Sequence, residues 1–319
     1  MSPGGHNEDW CWHYRGMVDG DPIKQHTVSQ VVLRRFASRS SKADYRGRLA
    51  VLDRQSGRLN LRNPRGIFTI NAFVEYQAKD LEQLWGGVES RLKPAFNALD
   101  RRVWPLQPEI EGGTLRDLVA VHWIRSGAIR ALHDRLSLEH IAASKTRVAA
   151  DTEFWKKAFE AKTGLAPAGD GALEWIIDQL YREVAEPVVA KLFSSKVLEH
   201  YQNAKLHFQR YRIRVAYATS PTFMIGDVPV ITPNRRLVGL GPHQGVALMD
   251  AEDVFMPVSP NILVALGPQS VQVDLQTEAV RDFNSLQQAG YIRWLACQPD
   301  TGAHVALASL APPIAAGGQ

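Results

Sequence analysis

Between Asn71 and Thr219 apolar residues recur at helical spacing, while on both sides of that block they fall into short strand-like runs. A chain patterned this way has to pack a set of helices against strands drawn from its two ends. The expected class is α+β, with strands from the N- and C-terminal parts sharing one mixed sheet and a large helical block, about 72–218, packed on it. Helical segments are predicted near 72–99, 114–140, 151–163, 171–192 and 195–218. Pro94 should kink or end the first near Leu92, and Thr114 with Asp117 resembles a capping box opening the second.

Ahead of the block, "RLAVLDRQSGRLNL" alternates apolar and polar residues around a glycine-containing turn and predicts a β-hairpin. Behind it, "TFMIGDVPVI", "DVFMPVSPN", "ILVALG" and "YIRWLAC" predict strands, with a helix near 276–289 before the last. Ser29 is placed to cap a short helix that buries Val32, Leu33 and Phe36. This organises the chain as an N-terminal arm (1–22), a single α+β domain (23–310) and a flexible tail (311–319). No apolar run is long enough to span a bilayer, and the first residues lack the apolar core of a signal peptide, so a cytoplasmic protein without a membrane partner is expected. Cys11 and Cys297 are far apart and show no metal-ligand spacing.

Charge narrows the partner. The net charge of +4 is uneven: residues 31–66 carry +8 and the rest carries −4. That segment holds Arg34, Arg35, Arg46 and Arg48, opposed only by Asp44 and Asp53. Arginine suits bidentate phosphate contact, so a nucleic-acid partner is one reading and a solvated, arginine-rich hairpin is the other.

Charged residues on apolar faces mark a candidate site. On a helical wheel, Arg125 falls within roughly 40° of Leu118, Val121, Ile129 and Leu132, with His122 at the flank. A guanidinium buried there needs an anionic partner, structural or functional. Glu89 lies at the edge of the preceding apolar stripe, and Glu82 is seven residues earlier on the same side. Such a pair suits acid–base work or a divalent metal. Asp227 ends an apolar strand between Gly226 and Val228, where a carboxylate serves either a site or a turn. His26, just ahead of the capped helix, suits proton transfer if it faces a cleft and a backbone contact if it does not.

The order of "HTVSQVVLRRF", "LAVLD", a helical Glu89, "HWIRSG", "FMIGDVPVI", "VFMPVSP" and "DFN" resembles bacterial domain-of-unknown-function family 4238, from about His26 to Cys297. The resemblance picks out His26, Gln30, Glu89, Arg125, Asp227 and Asn284 and supplies no reaction. Ser29 stands where that pattern has proline, His122 where it has glutamine, and Gly127 where it has proline. Gly226 and Val228 replace polar neighbours of Asp227.

Two functions follow as expectations. One is an enzyme on a phosphate-bearing substrate, a nuclease-like hydrolase of RNA or DNA. It would use His26 as acid or base, Arg125 for developing charge, and Asp227 with Glu89 for orientation or a divalent metal. Gln30, His122, Asn284 and the arginines 34, 35, 46 and 48 would contact substrate. The other is a non-catalytic module whose buried network is structural and whose arginines bind nucleic acid or an acidic partner. A nucleotide-dependent group transferase is a third, more distant reading.

Overall fold

Both faces of the strand "LAVLD" are apolar, and both are covered. The computed structural model describes residues 24–71, 73–74, 78–233 and 247–311. The predicted arm (1–22), Cys11 and all but the first residue of the predicted tail lie outside them.

The chain begins with β1 (Lys24–His26), α1 (Gln30–Phe36), β2 (Leu49–Asp53), β3 (Arg58–Arg62) and β4 (Thr69–Asn71). A helical run follows: α2 (Ala78–Ser90), α3 (Leu92–Asp100), α4 (Gly113–Ile124), α5 (Gly127–Ala149), α6 (Thr152–Thr163) and α7 (Asp170–Phe208). Then come β5 (Arg212–Tyr217), β6 (Ile225–Gly226), β7 (Val254–Ser259), β8 (Ile262–Gly267) and β9 (Val271–Asp274). The last elements are α8 (Thr277–Gly290), β10 (Trp294–Cys297) and α9 (Gly302–Leu310).

The two ends share a sheet, in the order β3-β2-β10-β6, with Ala296 opposite Val51. A second sheet, β7-β8-β5-β9, is the mixed one, because β5 and β9 run parallel. β1 and β4 form a separate antiparallel ribbon. Successive side chains of a strand point to opposite faces. Leu49 and Val51 therefore enter the main core, while Ala50 and Leu52 meet Ala303 and Leu307 of α9. The main core is continuous from Val28 to Ala296. A smaller cluster joins Trp155 of α6 to Leu173, Ile176 and Ile177 of α7.

Several boundaries differ from the sequence reading for local reasons. The first helical segment breaks at Arg91, and Pro94 sits in the opening turn of α3, where proline is tolerated. The segment predicted as one helix over 114–140 is two, parted at Arg125 and Ser126. The Ser126 hydroxyl accepts the Ile129 N–H at 3.3 Å and donates to the Trp123 carbonyl at 2.9 Å. Gly127 is the first residue of α5, and a Cβ there would lie 3.0 Å from Ile292 Cδ1. The predicted capping box is not formed. The helix starts at Gly113, Thr114 donates back to the Ile110 carbonyl, and Asp117 instead pairs with Arg91 and Lys205. The last two predicted helices are one, running through Pro187, and residues 212–217 are strand rather than helix because Ile213 and Val215 alternate into the core.

Candidate active site around Arg125

β1 is short, and Ser29 immediately turns the chain into α1 by accepting the Val31 N–H at 3.2 Å. The Ser29 N–H is itself held by His122 Nε2 at 3.0 Å, while His122 Nδ1–H donates to the Leu118 carbonyl at 2.8 Å. Both nitrogens of this fully buried ring are used, and burial, then the Arg125 charge, drive its pKa down to about 3. His122 is a fixed neutral strut that sets the entrance of α1. It has no nitrogen left for a substrate.

One turn on, Arg125 is 3 % exposed. Its Nη1 donates to Glu89 Oε1 at 3.1 Å, and the guanidinium lies over the Trp85 ring, 4.5 Å from its centroid. Glu82 acts on the same guanidinium, so the two carboxylates seven residues apart on α2 do face one target. Burial pushes the Glu82 carboxyl above its usual range; Arg125 pulls it down, Glu89 raises it further, and Gln25 lowers it.

His26 closes the other side. Burial and then Arg125 lower its pKa, with the Ile67 backbone and Glu89 acting in the opposite direction. Its proton can be placed from the hydrogen bonds. Arg34 donates to Gln30 Oε1 at 3.1 Å, and arginine only donates, so the Gln30 amide orientation is fixed. Gln30 Nε2 must then donate to His26 Nε2, 2.7 Å away. The neutral ring therefore carries its hydrogen on Nδ1, and that buried N–H faces the Ile67 backbone without a well-formed hydrogen bond.

It has company. Seven buried side-chain polar atoms among the described residues lack a well-formed hydrogen bond, and five belong to this cluster: Gln25 Nε2, His26 Nδ1, Glu82 Oε1, Trp85 Nε1 and Arg125 Nε, of which Gln25 lies against Glu82 and His26 against the Ile67 backbone. Leaving buried polar atoms unpaired costs about 1–3 kcal/mol each, so such a concentration marks a place shaped for something else. Four of the five are N–H donors. The group they suit presents acceptors.

Asp227 and Asn284 lie elsewhere. The Asp227 carboxylate accepts the backbone N–H groups of Ile292 (2.8 Å), Arg293 (2.8 Å) and Trp294 (3.2 Å). Burial raises its pKa and those N–H groups pull it back. It anchors the entry to β10 and, among the described residues, makes no hydrogen bond or ion pair with His26 or Arg125. Asp227→Asn turns an amide N–H₂ toward backbone donors and should cost about 1–3 kcal/mol in a urea melt; an unchanged melt would mean that this anchor is dispensable. Asn284 spends its amide on Met224 N–H and the Thr222 carbonyl, and Gln287 spends its own on Gly226 N–H and the Pro229 carbonyl. The absence of a side chain at Gly226 is explained here: a Cβ would come within 3.0 Å of Gln287 and Tyr291.

Of the arginines, Arg35 is tied to Asp100 at 2.6 Å and to the Val258 carbonyl, so it fastens α1 to α3 and β7. Arg46 and Arg48 are exposed in the loop before β2. Among the described residues, no three His, Cys, Asp or Glu side chains are grouped to hold a metal ion. Cys297 is buried and free, its thiol pushed up to about 12 by burial.

A family model described as "Protein of unknown function (DUF4238)" matches residues 24–300. The chain belongs to that family. No curated protein and no solved structure matches it. The DUF4238 match supports the resemblance read from the ordered motifs and carries no information on source organism or reaction. Of the positions that resemblance picked out, the DUF4238 chain brings His26, Gln30, Glu89 and Arg125 together and uses Asp227 and Asn284 as buried struts. Gln25 and Trp85 complete the centre and were not anticipated, because an unfilled hydrogen bond is visible only once the neighbours are placed. No described helix is long and apolar enough to cross a membrane.

Proposed function

We propose that this protein is an enzyme that hydrolyses a phosphodiester of RNA or DNA at the centre built on Arg125. The observation carrying this reading is the buried positive charge of Arg125, whose Nε–H and the neighbouring Trp85 Nε1–H have no hydrogen-bond partner among the described residues, with the loosely held N–H groups of His26 and Gln25 beside them. Donors held in place in a low-dielectric site are suited to an oxyanion whose charge grows in the transition state.

The acid–base role falls to Glu82 rather than His26. The His26 ring is neutral with its lone pair committed to Gln30, so it acts as a hydrogen-bond donor. Glu82 is the carboxyl whose burial favours the protonated form, and a bound phosphate beside it strengthens that preference. Water attacks phosphorus, the P–O bond to the leaving group breaks, and Glu82 gives its proton to the departing oxygen. The proton released by the attacking water passes to solvent, from which Glu82 is recharged. Glu89 holds Arg125 in place throughout.

Purified protein incubated with end-labelled single- and double-stranded RNA and DNA should cleave at least one of them, with EDTA and with Mg²⁺ or Mn²⁺ tested separately. All four left intact under every condition would defeat this reading. The competing account, a binding module with a structural network, draws support from His122, Asp227 and Asn284, whose hydrogen bonds are filled within the fold. It expects nucleic-acid binding without cleavage.

A further inference from the structure

At the far end of α1 an open cleft of about 400 Å³ is lined by Arg34, Ser38, Arg39, Asn63 and Arg65, with Gly47 at its edge. No acidic side chain lines it. Arg34, Arg39 and Arg65 are exposed and have no carboxylate partner among the described residues, unlike Arg35, which Asp100 neutralises. The walls are fixed. The Ser38 N–H donates to the Arg48 carbonyl at 2.9 Å, and the Gly47 N–H donates to the Ser38 carbonyl at 2.9 Å. Asn63 accepts the Arg65 N–H at 3.0 Å and so caps the short turn Pro64–Gly66 that carries this arginine. Gly47 sits at φ +69°, where only glycine is unstrained, and space around it is open.

Three guanidiniums thus line one cleft with no counter-charge among the described residues. We infer that this cleft is a second phosphate site, taking the backbone of a single nucleic-acid strand whose reacting phosphate lies at Arg125. This rests on the phosphodiester reading above. The two places are linked along one face of α1, where Arg34 at the cleft bonds Gln30, which bonds His26 at the centre. A cleft of this size has room for one nucleotide-sized group, and a basic groove that tracks the backbone is how single strands are held without sequence preference. The preference for nucleic acid over an acidic protein segment comes from the side chains: three guanidiniums and no lysine line the cleft, a choice that favours planar, bidentate phosphate contact.

The test is fluorescence anisotropy of a labelled single-stranded 12-mer, RNA and DNA, in a Glu82→Gln background that leaves the strand uncut. Arg39→Glu combined with Arg65→Glu should weaken binding at least about tenfold at fixed salt, and two lost phosphate contacts should flatten the salt dependence of log K by about 1.4. Both residues are exposed, so a circular-dichroism melt checks that the double variant folds. Undiminished 12-mer binding by the double variant overturns the proposal. So does tighter binding of a 12-bp duplex, or displacement of the 12-mer by polyglutamate more readily than by unlabelled strand, which would assign the cleft to a protein partner. Wild-type hydrolysis of bis-p-nitrophenyl phosphate, too small to reach the cleft, reads the centre separately. Its absence would count against the phosphodiester reading and leave the anisotropy result standing.

Discussion

Arg125→Ala should cost about 3–5 kcal/mol of folding stability. The side chain is buried, and its removal strands Glu89, only 24 % exposed, without the cation it pairs with. It also empties the space over Trp85, one of the largest fully buried side chains in the core. Arg125→Met, which refills that space, should recover part of the loss. Arg125→Met combined with Glu89→Gln should recover more, because no unpaired charge then remains. Urea unfolding of the parent, Arg125→Ala, Arg125→Met, Glu89→Gln and the Arg125→Met/Glu89→Gln double closes the cycle. If Arg125→Ala melts within about 1 kcal/mol of the parent, the pair contributes no more than a surface ion pair does, and the burial argument for this centre fails.

The centre was partly legible in the sequence, and the reasons are specific. Arg125 stood out because a cation inside an apolar stripe is rare, and it is indeed buried. The stripe used to find it was nevertheless two helices: Leu132, counted on the same face, is 40 % exposed on α5. Glu82 and Glu89 were legible because seven residues is two helical turns, a local regularity that tertiary packing does not disturb. His122 was misleading for the opposite reason. Its partner Ser29 is 93 residues away, so nothing near it in sequence reveals that its lone pair is already spent. Asp227 was equally ambiguous until Ile292, Arg293 and Trp294 were placed around it. The shared terminal sheet was readable because "LAVLD" and "WLAC" are short, apolar and bounded, and their pairing satisfies both. The strand after α7 was not, because six residues following a 39-residue helix carry too few alternations to break the helical period.

Glu82→Gln should lower phosphodiester hydrolysis by about 10²–10⁴-fold, the range of a lost general acid, while leaving the fold as stable as before or more so. The two effects move apart for one physical reason. Burial raises the Glu82 pKa, so the folded state holds this proton more tightly than the unfolded chain does. Its contribution to stability is therefore full below the unfolded carboxyl's pKa and is lost as pH rises through the higher folded value. At neutral pH the charged carboxylate is a burden on the fold, and a neutral amide of the same shape relieves it. Wild-type stability should accordingly gain from Glu82 on acidification through that window, and the variant should lack this gain. Activity should show the matching limb: the rate falls as pH rises through the Glu82 titration, above the ordinary carboxylate range, and that limb disappears with Gln. A carboxyl that only braced Arg125 would behave differently, since its replacement would lower stability and activity together and leave the shape of the pH profile intact. Parallel urea melts and pH–rate profiles of the two proteins separate these cases, and a destabilised variant with an unchanged profile would remove Glu82 from the chemistry.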